Sequence, residues 1–464
     1  MQIERFFVPG LAHASYLVAS ESEAVVIDPE RNVTGYIAYL ARNRLRLKGV
    51  FLTHPHADFV AGHAELSAQS GAPILLSDKA PATFAHCDVK EGDRVALGTG
   101  EIQVIATPGH SPDSICLCLF ESSVPVALFS GDTLFAGDVG RPDLRDRELD
   151  SQELATMLYD SLFGKLLKLP PDVKVYPAHG AGSLCGRQIS SAPFTTIGQE
   201  AATNWALQLN NRHLFVEAML ANLPDRPPYF SRSVAVNLRG APYLSDCPAA
   251  AHLRLAEFNT FKQQGATTLD VRPAALFGDG HAMDSLNIGV ASPSFSVWSG
   301  FFVNPDLPIS LVVEYETEAQ RAQLELARIG FDQVVGFITA DDLDETQQIT
   351  QIGARDLLAF MESPQRPVIL DVRSAQEWSH DHLEGAIHIP LPQLLRRIGG
   401  LSRKTPLVVV CGSGYRSSIA ASLLESEGFE RLSNVMGGMH AVRHAKRPRL
   451  RAVELAESAL TWEI

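Results

Sequence analysis

The chain has 464 residues, 45% of them hydrophobic and 20% charged, the balance of a soluble globular protein of two or three domains. A net charge of -14 argues against partners built on phosphate backbones or anionic lipid, so no nucleic acid and no membrane is expected. No stretch reaches the length of a membrane span, the start Met1-Gln2-Ile3-Glu4-Arg5 does not read as a signal peptide, and six cysteines are too few to staple a fold of this size, which points to a reducing cytoplasm.

In chain order, Val25-Val26-Ile27 reads as a strand ending on Asp28. The apolar run Gly49 to Leu52 then empties into Thr53-His54-Pro55-His56-Ala57-Asp58-Phe59. Two imidazoles and a carboxylate within five positions supply ligands for a first-row metal on a rigid strand end. Three further segments repeat the device. Ile102 to Ala106 leads into Thr107-Pro108-Gly109-His110-Ser111, Val126 to Phe129 into Ser130-Gly131-Asp132-Thr133, and Val173 to Tyr176 into Pro177-Ala178-His179-Gly180. Such a set implies a bound metal. Cys116 and Cys118 flank one residue of an alternating run, so their side chains share a face and form no Cys-x-x-Cys redox pair. Gln199 to Leu223 reads as a helix, and Ser245 to Pro248 as a linker.

Beyond the linker the chain repeats itself. Thr268-Leu269-Asp270-Val271-Arg272 recurs as Ile369-Leu370-Asp371-Val372-Arg373, and the buried strand Ser310 to Glu314 recurs as Pro406 to Cys411. Both strands lead into helices that end in Gly-Phe, at Gly330-Phe331 and Gly428-Phe429. Two α/β segments of similar length are expected, with Ile419 to Glu427 helical in the second.

The metal motifs resemble the metallo-β-lactamase superfamily, which implies an αββα sandwich with its site at one sheet edge and Asp28 bracing the metal loop. The repeat resembles the rhodanese family through Leu370-Asp371-Val372-Arg373-Ser374, Glu384 to Pro390, and the loop Cys411-Gly412-Ser413-Gly414-Tyr415-Arg416-Ser417. The expected organisation is a metallo-β-lactamase-fold domain over 1–244, a degenerate rhodanese-like domain over 249–344, and an active rhodanese domain over 352–464. In the middle copy Glu314 stands for Cys411 and Ala319 for Arg416, and the turn Tyr315-Glu316-Thr317-Glu318 lacks glycine.

The superfamily's dinuclear hydrolases read His-x-His-x-Asp-His, and Phe59 stands where that last His would be. A benzyl group cannot coordinate, so a mononuclear site is favoured, with His63 a packed residue. His54, His110 and Asp132 then form a two-His-one-carboxylate face suited to non-haem Fe(II), while His56, Asp58 and His179 orient ligands and water. Persulfide dioxygenases of the superfamily use this pattern. The resemblance extends to Ala57 to His63 and Gly137 to Asp143, and is greatest to bacterial persulfide dioxygenase–rhodanese fusions. Spacing alone admits zinc as readily as iron, since zinc binds the same donors and stands higher in affinity.

In the Cys411 loop, the N–H groups of Gly412, Ser413, Gly414 and Tyr415 are expected to converge on the sulfur at a helix N-terminus, lowering the thiol pKa and stabilising a persulfide. Arg416 would brace the loop or meet an anionic sulfur oxyacid. Four residues between Cys411 and Arg416 suit a sulfane sulfur better than the longer loop of related phosphatases. Cys185 lies near the metal motifs in sequence and could touch substrate, but reads rather as an inert small residue, and His13 and His281 are among the histidines given no function.

The resemblance implies one Fe(2+) per chain and oxidation of a small-molecule thiol persulfide, such as glutathione persulfide, by dioxygen to sulfite and thiol. Cys411 would exchange sulfane sulfur among persulfide, sulfite and thiosulfate. A homo-oligomer is compatible with this reading. The rivals are a zinc-dependent glyoxalase II-like thioester hydrolase fused to a rhodanese, and a non-enzymatic persulfide sensor or sulfur relay.

Overall fold

Apolar runs at strands Glu23–Ile27, Arg46–Phe51, Ile115–Glu121 and Val124–Gly131 are buried on both faces, as strands covered on two sides must be. The computed structural model describes residues 1–145, 149–221, 223, 225–364 and 366–446, so the last part of the expected 352–464 domain lies outside the described residues. One six-stranded sheet orders Gln2–Val8, His13–Ser20, Glu23–Ile27, Arg46–Phe51, Ile74–Ser77 and Cys87–Val89. A second orders Arg94–Leu97, Gly100–Ala106, Ile115–Glu121, Val124–Gly131, Lys174–Pro177 and Thr195–Thr196.

The two sheets meet through one core. Tyr16, Val18, Val25, Ile27 and Phe51 of the first pack with Ile102, Val104, Leu117, Leu119 and Phe129 of the second. Alternate residues point outward to helices. Leu17, Val26 and Val50 meet Tyr36, Tyr39 and Leu40 of helix Thr34–Asn43. Cys116, Cys118, Leu128 and Val175 meet Leu158 and Leu162 of helix Ser151–Gly164 and Phe215 of helix Arg212–Leu220. This is the αββα sandwich. Cys116 and Cys118 share the face expected of them, as core residues.

The single helix expected over Gln199 to Leu223 is instead broken into Ile197–Thr203, a 3-10 turn Ala206–Gln208, and Arg212–Leu220. Asparagines break it. The Asn204 amide turns inward to donate to Asp138 O and Glu200 Oε2, and Asn211 caps the next helix through His213 N and Leu214 N.

The chain forms two compact units, one of residues 1–252, 290–309 and 317–336, the other of 253–289, 310–316 and 337 onward. The segment expected as a middle domain thus contributes to both. In the first unit, Val60 N donates to Arg328 O at 2.7 Å and the Arg328 guanidinium pairs with Glu30 at 2.9 Å, so this segment braces the loop that follows Phe59.

The repeat is visible as topology. Leu286–Asn287, Thr267–Asp270, Ile309–Val313 and Val334–Thr339 lie in the same order as Ile387–His388, Val368–Asp371, Leu407–Val410 and Leu432–Val435, with Thr350–Ile352 added at the far edge of the second sheet. Each copy has a buried Asp–Arg pair, Asp270–Arg272 at 2.6 Å and Asp371–Arg373 at 2.7 Å, that locks the turn after its strand. The copies differ after the next strand. Four residues separate Val410 from helix Tyr415–Ser426, but only Glu314 and Tyr315 separate Val313 from helix Glu316–Ala327. The expected turn 315–318 is therefore mostly helix, and Ala319 does not match Arg416. Counted from the helix start, Thr317 does, because two loop residues are missing.

Candidate metal centre and cysteine loop

The strand-end donors converge. Asp28 sits in the left-handed region at φ 52°, which turns its carboxylate under the metal loop. Its two oxygens accept from Thr53 N and Thr53 Oγ1, both at 2.8 Å, and Oδ1 lies 3.1 Å from His56 Nε2. The Thr53 hydroxyl is committed to Asp28, so at His54 Nδ1, 3.1 Å away, it serves as acceptor. That fixes the proton on Nδ1 and leaves Nε2 a lone pair. His110 is set the same way, its Nδ1 donating to Arg141 O at 3.0 Å. Gly140 makes the contact feasible, because a Cβ there would stand 1.8 Å from Asp132 O and 3.0 Å from His110 Nδ1.

His54 Nε2 and His110 Nε2 lie 3.9 and 3.5 Å from Asp132 Oδ2, while His179 Nε2 lies 3.4 Å from Asp132 Oδ1 and 3.3 Å from Asp58 Oδ2. Three donor sets result, each with ligand atoms within 4.8 Å of one another: His54, His110 and Asp132; His56, Asp132 and His179; and Asp58, His179 and Cys185. All of these residues are buried. His54 Nε2, both Asp132 oxygens, Asp58 Oδ1 and His179 Nε2 have no hydrogen-bond partner among the described residues. Buried polar atoms left in that state cost about 1–3 kcal/mol each, and a cation is what satisfies such a set together. The donors fit a metal.

Electrostatics separates the histidines. Burial, reinforced by His56 and His110, drives His54 well below the ordinary imidazole range, and burial outweighs Asp132 to lower His110. Both are neutral imidazoles, the form that ligates. Burial opposes charge on His56 and His179 as well, but Asp28 raises His56, and Asp132 with Asp58 raises His179 to about 9.

Phe59 is packed into the wall of the site. Its ring is 1% exposed, with its centroid 3.9 Å from that of His13 and 4.4 Å from that of His56. Among the described residues His63 joins no donor set. It is buried at the start of helix His63–Ser70 beside Phe84, and burial lowers it to about 3.

Three residues without an expected role stand at this site. His13 donates from Nε2 to Asp28 O at 2.9 Å and packs on Phe59. Tyr229 is buried and donates to Asp58 O at 3.1 Å. Cys185 was expected to be inert, yet its sulfur joins Asp58 and His179. Burial, with Asp58 and Asp132 adding to it, raises its thiol well above the ordinary range, so it is a neutral thiol. The Gly137 to Asp143 motif holds that loop in place: Arg141 N donates to Cys185 O, and Asp138 accepts from Gln188 N and Trp205 Nε1. Proximity of Cys185 to His179 in sequence was the only hint; His13 and Tyr229 gave none.

In the second unit, Cys411 is buried at the end of strand Leu407–Val410. Gly414 N donates to its sulfur at 3.1 Å and Ser417 Oγ at 3.3 Å. Gly414 has φ 96°, the left-handed turn that aims its N–H inward. Among the described residues the convergence expected of the loop is carried by Gly414 N, with a side-chain hydroxyl, Ser417 Oγ, as the second donor. The Arg416 guanidinium is paired with Glu377, donating two bonds at 2.7 and 2.6 Å. Burial pushes the Glu377 carboxyl up, but Arg416 outweighs it and holds it at about 2.

The sequence pattern of the metallo-beta-lactamase superfamily matches residues 8–179, and that of the rhodanese-like domain matches 354–445. A hydroxyacylglutathione hydrolase of Francisella tularensis subsp. novicida is 36% identical over 181 residues, 39% of this chain and 68% of the relative. The crystal structure of a metallo-beta-lactamase from Staphylococcus aureus subsp. aureus COL superposes with a TM-score of 0.66 at 28% identity, covering 73% of this chain and 99% of that one. ETHE1 from Myxococcus xanthus gives a TM-score of 0.45 at 31% identity over 51% of this chain and 98% of its own, too partial a superposition to bear on the reaction.

Proposed function

Because the chain belongs to the metallo-beta-lactamase superfamily and carries a rhodanese-like domain, we propose that it oxidises a low-molecular-weight thiol persulfide with dioxygen and that Cys411 transfers sulfane sulfur. The balance is persulfide, dioxygen and water giving thiol, sulfite and two protons. The observation that supports the reading is the Phe59 ring, buried against His13 and His56 at the sequence position where the superfamily's dinuclear hydrolases carry a ligating His. His54, His110 and Asp132 would hold one iron(II), which when bound supplies the redox chemistry between dioxygen and sulfur. Thr53 and Arg141 O keep Nε2 of His54 and His110 unprotonated. In this reading His56, paired with Asp28, and His179, paired with Asp58, would orient ligands and water rather than coordinate the iron. The buried walls of Phe59, Tyr229 and Cys185 exclude bulk water from the reacting sulfur.

Purified without oxygen, the protein is expected to hold about one iron per chain and to take up oxygen with glutathione persulfide. Two tightly bound zincs with thioester hydrolysis and no oxygen uptake would sink the proposal. That outcome is the second reading, zinc hydrolysis of a glutathione thioester, favoured by the Francisella relative and by the Asp58–His179–Cys185 set. Cys185→Ser separates the two: metal content stays near one per chain if that set is vacant of metal in solution, and falls from two if Cys185 is a ligand.

We read residues 249–344 as a degenerate rhodanese copy without sulfur chemistry, supported by the shared strand order and the Asp–Arg pairs. Cys411→Ser combined with Glu314→Cys should therefore stay inactive in sulfurtransfer, because the two-residue connection Glu314-Tyr315 has no room for a loop of inward N–H groups. Recovery of even about a tenth of normal activity would show a competent fold lacking only its nucleophile.

A further inference from the structure

The helix that follows the cysteine loop poses a problem of its own. Residues Ser417 to Leu424 of helix Tyr415–Ser426 are all buried, serines 417, 418 and 422 included, although a surface helix would leave one face to water. Each serine has a use. Ser417 donates to the Cys411 sulfur. Ser418 and Ser422 face the segment 281–289 of the middle copy, within the same compact unit. Ser418 Oγ donates to Asn287 Oδ1 at 2.6 Å, and Ser422 Oγ accepts from Asn287 N at 3.1 Å. Tyr415 OH donates to Gly289 O at 3.3 Å at the helix start, and Glu425 meets His281 Nε2 at 2.7 Å at its end. Positions 415, 418, 422 and 425 follow the helical repeat and form one stripe.

Asn287 is the centre of this seam. It is 2% exposed, and its Nδ2 donates to Asp270 O at 3.2 Å and Arg272 O at 3.0 Å, so its amide orientation is fixed by the middle sheet. It carries that order to Ser418, one residue beyond the serine that touches the sulfur. We infer that Asn287 is a positioning residue for sulfurtransfer, holding the start of the helix so that Gly414 N and Ser417 Oγ stay aimed at Cys411. The degenerate copy then serves the intact one. This rests on the reading of Cys411 as the sulfur carrier, and the test keeps the two apart.

The experiment compares full-length wild type, Asn287→Ala and Ser418→Ala in thiosulfate:cyanide sulfurtransfer. It also follows the pH profile of Cys411 alkylation by iodoacetamide, read on the Cys411 peptide by mass spectrometry. His281→Gln is the control, since Glu425 lies at the end of the helix remote from the loop. Misaligned donors should lower sulfurtransfer kcat about tenfold in both Asn287→Ala and Ser418→Ala, with the thiosulfate KM changed less than about threefold. The alkylation profile should move to higher pH in both. His281→Gln should lower the melting temperature yet leave kcat and the profile in place. Ser418→Ala removes one oxygen and answers the question if Asn287→Ala does not fold. Unshifted profiles in both variants, with kcat within about twofold of wild type, overturn the inference. If wild type transfers no sulfur, the sulfurtransferase reading fails, while the alkylation profiles still decide whether Asn287 positions the loop.

Discussion

Asp132→Ala, purified without oxygen, is expected to hold less than about a tenth of the wild-type iron and to take up no oxygen with glutathione persulfide; His110→Ala should behave alike. Asp132 is the common member of two donor sets, with one oxygen toward His54 and His110 and the other toward His179. Removing it leaves two neutral imidazoles, too few to retain a divalent ion against a chelator. The same substitution should lower the melting temperature of the metal-free protein only modestly, because what it removes is a buried ion pair with His179 at 3.4 Å. Neither carboxylate oxygen of Asp132 has a hydrogen-bond partner among the described residues, so no such bond is lost. Asp28→Ala is the contrast. It strips Thr53 of two 2.8 Å bonds and His56 of its partner in a fully buried place, and should cost about 3–5 kcal/mol in the metal-free protein. Differential scanning calorimetry of the chelated proteins, with metal analysis of the unchelated ones, checks both halves. Full iron in Asp132→Ala would refute the assignment of the centre. A larger loss of stability in Asp132→Ala than in Asp28→Ala would show that the carboxylate serves the fold.

The cluster of candidate metal donors was legible because each sits where a strand ends, and a strand end is marked by the composition switch that follows it. Gly49 to Leu52 and Val126 to Phe129 announce the C-terminal ends of Arg46–Phe51 and Val124–Gly131 within a residue or two. Cys185 was not legible as a neighbour of the metal donors, because it rides on a loop held by Asp138 and Arg141 through backbone hydrogen bonds that no local pattern predicts. His13 and Tyr229 come from a first-sheet strand and from the segment before helix Phe230–Arg239; only the closed sandwich brings them to Phe59 and Asp58. The helix after Cys411 begins at Tyr415 rather than the expected Ile419 for a related reason. Serines weigh against a helix interior until their hydroxyls are seen to have buried partners in Cys411 and Asn287. The middle copy deceived alignment by composition. Glu314 falls at the right strand end, but two residues are missing after it, and a deletion inside a turn leaves no trace in the hydrophobic pattern.

Cys411→Ser should abolish thiosulfate:cyanide sulfurtransfer, with activity reduced more than about a thousandfold, because a hydroxyl cannot carry sulfane sulfur. The fold should survive. Serine is nearly isosteric and can accept from Gly414 N and Ser417 Oγ as the sulfur does at 3.1 and 3.3 Å, and the Arg416–Glu377 pair is untouched. Cys411 and the metal donors belong to different compact units, so oxygen uptake on preformed glutathione persulfide should remain within about twofold of wild type. The sharper test supplies thiosulfate and glutathione instead. There the Cys411 persulfide must form first, releasing sulfite, and pass its sulfur to glutathione before any oxygen can be consumed. Wild type should take up oxygen under those conditions and Cys411→Ser should not, while adding glutathione persulfide restores uptake in the variant. Sulfurtransfer near the wild-type level in Cys411→Ser would place the sulfur on another cysteine. Cys185 would be the first to try, although a buried thiol kept protonated beside Asp58 and Asp132 is a poor nucleophile. Oxygen uptake lost on both substrates would mean that Cys411 serves the oxidation itself, and the division of labour between the two sites would have to be redrawn.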